Sequence, residues 1–104
     1  MIQELQNQIQ DRPERPVHPG EVIADIMEDL ELNQAQFADI LGVSDEIVNQ
    51  IIQGKQPITV DLAIRIGKAL GNGHRLWLSL QQKIDVWDAW QIHKEEYDQV
   101  LTLV

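Results

Sequence analysis

Apolar side chains recur at steps of three and four residues along this chain, and no long run alternates apolar with polar positions. That spacing predicts helices that each bury one face, and no sheet. A first firm helix opens at residues 18–21 (HPGE), because proline suits the first helical turn, where its missing N–H is not needed. The predicted buried stripe of this helix comprises Val22, Ile23, Ile26, Met27 and Leu30.

The stretch from Gln34 to Gly54 predicts two short helices joined by a tight turn. Ala38 is small enough for two helices to cross steeply, and Gly42 adopts a left-handed turn at no steric cost. A small apolar cluster then closes between the helices, formed by Phe37, Leu41, Val43, Val48 and Ile51. These spacings indicate a helix-turn-helix whose second helix enters a DNA major groove. An ordinary αα-hairpin is the alternative.

Capping residues mark where the helices begin and end. Asn33 and Gln36 stand at the positions of a capping box, and Ser44 stands where it would cap the second helix of the pair. Thr59 caps a fourth helix, which Gly71 ends. The inward positions of that fourth helix are predicted to be Leu62, Ala63, Ile66, Ala69 and Leu70.

A long helix is predicted from about His74. Trp90, Tyr97 and Leu101 either extend it or belong to a final short helix. The apolar positions of the long helix are Leu76, Trp77, Leu80, Ile84 and Trp87. The fold class is therefore all-α, with five core helices, an additional C-terminal helix and a possible N-terminal helix. We expect residues 1–17 to form a tail or a short helix, and residues 18–104 to form one domain.

The net charge of −9 is concentrated in the first half of the chain. Residues 18–43 contain six acids and no Lys or Arg, whereas acids and bases balance over residues 44–71. Glu21, Asp25 and Glu28 share one helical stripe, with Asp29 beside it, and like charges at that spacing destabilise a helix. A stripe of this kind indicates either a basic protein partner or a solubilising face.

Enzyme chemistry finds little support in the sequence. The three histidines, His18, His74 and His93, lie in separate segments without metal-ligand spacing, and capping or surface roles suit them better. The sequence has no glycine-rich phosphate loop, no cysteine and no apolar run of membrane-spanning length. We therefore expect no catalytic residue, no cofactor, no metal, no membrane contact and a cytoplasmic location.

Two sets of residues are candidates for binding. The predicted DNA-contacting set places Asp45, Glu46, Asn49, Gln50 and Gln53 on the outer face of the second helix of the pair, with Gln34, Ser44 and Lys55 near phosphates. A solvated polar face is the alternative. The predicted dimer seam comprises Trp77, Leu80, Ile84, Trp87 and Trp90, although this helix could instead pack only on its own chain.

Four segments resemble the HigA-type antitoxins, also known as virulence-associated protein I-like, within the Xre/Cro-repressor class. The segments are HPGEVIADIME, LNQAQFADILGVS, IIQGKQPITVDLAIRIGKALG and WLSLQ, and the resemblance runs from about His18 to Trp87. It implies a lambda-repressor-like helix-turn-helix domain in a homodimer that represses its own operon by binding double-stranded operator DNA. It also implies neutralisation of a RelE-like mRNA endonuclease toxin, for which Glu21, Asp25, Glu28 and Asp29 are the candidate contacts.

Two other functions remain open on the sequence. One is a stand-alone Xre-type transcriptional regulator without a toxin. The other is an acidic protein-binding module whose helix-turn-helix does not bind DNA.

Overall fold

Five α-helices make up most of the chain in the computed structural model, which describes residues 14–104. They are α1 (Pro19–Asp29), α2 (Gln34–Leu41), α3 (Asp45–Ile52), α4 (Val60–Leu70) and α5 (His74–Asp98), with no strand in the described part. The predicted all-α helix-turn-helix fold is confirmed. The predicted N-terminal tail or helix falls mostly on residues 1–13, outside the described residues, and residues 14–17 are not helical.

The helices begin at the caps that the sequence predicts. Asn33 and Gln36 form a reciprocal capping box, in which each backbone N–H donates to the other side chain at 2.9 and 2.8 Å. The Ser44 and Thr59 hydroxyls each accept from the backbone N–H three residues on. Because α2 and α3 have only eight residues each, they depend on such caps and on packing rather than on intrinsic helix stability.

The described chain divides into two units, one of residues 17–82 and one that combines residues 14–16 with 83–104. In the first unit α2 packs against α3 and α4, and α1 packs against α3. The core of this unit is formed by Ile23, Met27, Phe37, Ala38, Leu41, Val48, Ile51, Ile58, Leu62, Ala63, Ile66 and Trp77. This core contains or contacts every member of the apolar cluster predicted for the helix pair.

Three residues predicted to face the core are exposed instead. Leu30, 55% exposed, is the C-cap of α1, and the chain turns away there through the positive φ of Glu31. Ala69 lies outside the buried face of α4, because that face continues through Gly67 rather than Ala69. Leu76, 43% exposed, precedes the fully buried Trp77 by one position, so it points in a different direction around the helix.

The second unit contains the end of α5. Arg15 forms two parallel hydrogen bonds with the Asp88 carboxylate, at 2.9 and 2.8 Å. The predicted additional C-terminal helix is the last part of α5, which follows a break at His93, where the backbone leaves helical geometry. Beyond that break the ring of Tyr97 packs edge-on against Trp90, with 5.0 Å between ring centroids.

Candidate nucleic-acid interface

The turn between α2 and α3 has the geometry of a closed helix-turn-helix. Gly42 is the C-cap of α2 with a left-handed φ of 74°, as its position in the sequence predicts. The N–H groups of Gly42 and Val43 both donate to the Ala38 carbonyl, at 2.8 and 3.0 Å. Ala38 itself is 0% exposed, so its small side chain is enclosed where the helices cross. These contacts fix the chain two residues before α3 begins.

The outer face of α3 carries the polar side chains that the sequence assigned to it. Asp45, Glu46 and Gln53 are exposed, while Asn49 and Gln50 are half-buried. The Gln50 amide donates to the Glu46 carboxylate, and the Gln53 amide donates to the Asn49 carbonyl oxygen, both at 3.3 Å. The structure therefore brings these five side chains together as two rows along one helix.

Those hydrogen bonds determine what the face can do chemically. An Asn side chain that recognises adenine needs both its carbonyl and its amide group. In this structure the Asn49 carbonyl accepts from Gln53, so contact with a base requires that bond to exchange. The exchange costs little, because the bond is long and lies at an exposed position.

The three residues assigned to phosphates lie around α3. Gln34 is the first residue of α2 and is half-buried, while Ser44 and Lys55 are exposed. The Ser44 hydroxyl is already the N-cap of α3, accepting from the Ile47 N–H at 3.2 Å. The Lys55 backbone N–H donates to the Gln50 carbonyl at 2.8 Å, which fixes the loop at the C-terminal end of α3.

Sequence reasoning missed two side chains that hold this region. Arg65 on α4 donates to the carbonyls of Leu41 and Gly42 in the turn. The buried Gln81 on α5 accepts from the Ile58 N–H at 2.7 Å, which fixes the loop that follows α3. Both contacts join residues more than twenty positions apart, so no local sequence signal predicts them.

Comparison with known proteins identifies the family. A model of the helix-turn-helix family matches residues 23–78, more than half of the chain. Over 83 residues the chain is 32% identical to Antitoxin HigA-1 of Vibrio cholerae, covering 79% of this chain and 78% of that protein. The chain belongs to the HigA-type family of helix-turn-helix proteins. The resemblance found in the sequence is thereby confirmed.

Solved structures of similar proteins agree with this HigA-type assignment. A Nostoc punctiforme protein, named as an antidote protein of a plasmid maintenance system, is 66% identical with a TM-score of 0.77, covering 88% of this chain and 100% of that one. The Pseudomonas aeruginosa antitoxin HigA, solved with the higBA promoter, is 28% identical with a TM-score of 0.81, covering 86% of this chain and 100% of that one. None of these relatives is named as an enzyme.

The acidic stripe of this HigA-type chain lies on the outer face of α1. Glu21, Asp25, Glu28 and Asp29 are all exposed. None of them forms an ion pair with another residue between 14 and 104. No Lys or Arg occurs from residue 17 to residue 54, so the stripe is not neutralised by its neighbours in sequence.

Burial within the single chain removes two residues from the predicted dimer seam. Trp77 and Ile84 are 0% and 1% exposed, so they have no surface left for a partner. The Trp77 indole N–H donates to the Asn72 side chain at 3.1 Å, which completes its role in the core of its own unit. Leu80, Trp87 and Trp90 are half-buried and remain the candidates for a seam.

Two further findings concern metals and membranes. Within residues 14–104, no group of three or more His, Asp or Glu side chains is arranged to hold a metal ion. Among the described helices, none combines the length and the apolar character that crossing a bilayer demands.

Proposed function

We propose that this chain is the antitoxin of a type II toxin–antitoxin pair, which represses its own operon as a DNA-bound dimer and neutralises an mRNA endonuclease toxin. The observation that carries the proposal is the polar face of α3, which follows a closed turn and a Ser44 cap. The promoter-bound P. aeruginosa HigA supports operator binding by the same fold. We expect the chain to act in the cytoplasm, where it would meet operator DNA and the proposed toxin.

Base recognition would come from the middle of α3. Asn49 and Gln50 carry amides that can form paired hydrogen bonds with adenine, and the Asp45 and Glu46 carboxylates can accept from cytosine N4. Gln34, Ser44 and Lys55 would contact phosphates and set the register on the duplex. The proposed DNA surface thus depends on amides and helix ends more than on charge.

The test of this surface uses single substitutions. Asn49→Ala and Gln50→Ala should each weaken binding to the upstream palindrome by about 1–3 kcal/mol at the matched base pair. Gln82→Ala, which removes an exposed amide from α5, is the matched control and should bind as the unsubstituted protein does. Fluorescence anisotropy with the operator duplex measures all three.

Strong operator binding that is indifferent to both α3 substitutions would reject this recognition surface. Absence of operator binding by the unsubstituted protein would instead favour the acidic protein-binding module, for which the exposed Asp45 and Glu46 at the start of α3 are the supporting feature.

Toxin neutralisation would use the acidic stripe on α1. Four exposed carboxylates on one 11-residue helix repel each other, at a cost of about 0.2–0.5 kcal/mol for each pair one turn apart. An RNase of the RelE-like class, which grips mRNA, is expected to be basic. Attraction between the two surfaces would speed association and fix their orientation.

Charge reversal tests the stripe. The triple variant Glu21→Lys, Asp25→Lys and Glu28→Lys should lose toxin affinity at low salt far more than at high salt, because salt screens exposed charges. The control reverses Glu95, Glu96 and Asp98 on α5, which changes the net charge by the same amount. Circular dichroism and operator binding first establish that each variant folds.

Calorimetric titration with the toxin from the neighbouring gene provides the affinities. If the α1 variant and the α5 control bind the toxin equally at both salt concentrations, the toxin docks elsewhere or the chain is a regulator without a toxin.

A further inference from the structure

One side chain from outside the helix-turn-helix holds its turn. Arg65 on α4 donates from Nη1 to the carbonyl oxygens of Leu41, at 2.9 Å, and Gly42, at 3.3 Å. The last carbonyls of a helix have no intrahelical partner, and a positive charge near them is favourable. Because α2 has no basic residue in its own last turn, Arg65 supplies that charge from another helix.

The guanidinium of Arg65 is held in place from its other side. Its Nε donates to the Asp61 carboxylate at 2.8 Å, one turn earlier on α4. An acid four residues before a base is the favourable order on a helix. The planar guanidinium of Arg65 can donate hydrogen bonds to the carboxylate and to the turn carbonyls at the same time. The single ammonium of a lysine does this less well.

Gly42 leaves room for this contact. A Cβ built on Gly42 would stand 3.1 Å from Arg65 Nη1, closer than most real Cβ contacts. Glycine is therefore favoured here both by the left-handed backbone and by the guanidinium beside it. The turn, Arg65 and Asp61 form one connected unit, which we call the turn clamp.

We propose that Arg65, oriented by Asp61, is a positioning residue for operator recognition. The turn clamp acts two residues before Ser44, the N-cap of α3, so a shift of the turn moves the start of α3 and with it Asn49 and Gln50. Hydrogen bonds to bases tolerate only a few tenths of an ångström and weaken steeply when bent. This inference rests on the proposed function, because it assumes that α3 binds an operator.

The test compares three clamp variants with a matched control. Arg65→Met removes the donors but keeps an apolar stem, and Arg65→Lys keeps the charge. Asp61→Ala keeps Arg65 but removes the oxygen that accepts from its Nε, so the guanidinium is no longer oriented. Lys68→Met removes the same charge from a residue that lines the same depression between α2 and α4. Each variant is assayed for thermal stability, for binding to operator and scrambled duplexes, and for the dependence of binding on salt.

If the turn clamp positions α3, Arg65→Met should lose about tenfold more operator affinity than Lys68→Met does. A tenfold loss is the scale of one hydrogen bond to a charged group. Scrambled-DNA affinity and salt dependence should match between these two variants. Arg65→Lys should recover only part of the loss. Asp61→Ala removes an acid and would strengthen DNA binding through charge alone. If the turn clamp positions α3, the same variant should instead bind the operator more weakly.

Opposite results would overturn the proposal. If Arg65 contacts a phosphate directly, Arg65→Met should weaken operator and scrambled DNA alike and reduce the salt slope by about one relative to Lys68→Met. Stronger operator binding by Asp61→Ala would also contradict the clamp. Should Arg65→Met fail to fold, Asp61→Ala, which keeps the guanidinium but removes its carboxylate partner, decides alone.

Amide hydrogen exchange tests the clamp without DNA, so a failure of the clamp can be distinguished from a failure of the proposed function. Exchange at residues 43–48 should be faster in Arg65→Met than in Lys68→Met without any DNA present, because the turn loses its fixed contact. If the unsubstituted protein shows no operator preference, the proposed function fails, and equal exchange in the two variants would then overturn the clamp as well.

Discussion

At the residue scale, the opening HPGE segment contains one residue that is explained by a local contact and one that is explained by a contact distant in sequence. His18 accepts a hydrogen bond from the Gly20 N–H at 2.9 Å and caps α1, and Pro19 fills the first helical position. Gly20 has a different reason. A Cβ there would overlap the carbonyl oxygen of Ile51, near the end of α3, so glycine permits α1 and α3 to pack backbone against backbone.

Gly20→Ala should therefore destabilise the protein, although alanine is the better helix former. We expect a loss of about 1–3 kcal/mol, the usual cost of forcing extra atoms into a close contact. The control is Ser79→Ala on an exposed position of α5, where the change should be nearly neutral. Urea denaturation of both variants measures this, and a Gly20→Ala protein as stable as the control would refute the close approach.

Contacts between residues that are close in sequence were predictable, and contacts between residues that are distant in sequence were not. The sequence identified Asn33, Ser44 and Thr59 as caps and Gln36 as a capping-box partner. These signals are local, because a cap and its partner lie within three residues. The contact between Gln81 and the Ile58 N–H spans 23 residues, and its existence depends on how α5 docks. Spacing alone contains no such information.

At the element scale, α5 shows what helical periodicity can and cannot establish. The apolar pattern correctly predicted a long helix beginning at His74. It did not separate Trp77, which is enclosed in its own unit, from Trp87 and Trp90, which remain half-exposed. Periodicity shows which positions share a face, but it does not show whether the same chain or a second copy covers that face.

Dimerisation through the second half of α5 is the prediction at this scale. Trp90→Ala should shift the protein from dimer to monomer, because the proposed seam loses a large aromatic side chain. Tyr97→Ala is the control, since it removes the edge-on ring contact with Trp90 but leaves the tryptophan in place. Multi-angle light scattering of both variants gives the mass, and a dimeric Trp90→Ala protein would place the seam elsewhere.

At the scale of the whole molecule, the two proposed surfaces differ in charge. The chain carries −9 overall, and residues 18–43 contain no base, whereas residues 44–71 are balanced. With so few basic side chains near α3, the proposed dimer would neutralise few phosphates. Its proposed DNA affinity would then come mainly from contacts to nucleobases and from helix ends. The same excess of acid on α1 would favour a basic protein partner.

Operator recognition by α3 is best tested by a salt titration of DNA binding by the purified protein. Binding to the palindrome upstream of its own gene is measured against a scrambled duplex, from about 50 to 200 mM salt, by fluorescence anisotropy. If α3 recognises bases and few phosphates are neutralised, the protein should clearly prefer the palindrome. The salt slope should be much shallower than the value near −10 of a repressor with many phosphate contacts. Equal affinity for the two duplexes would contradict sequence recognition by α3.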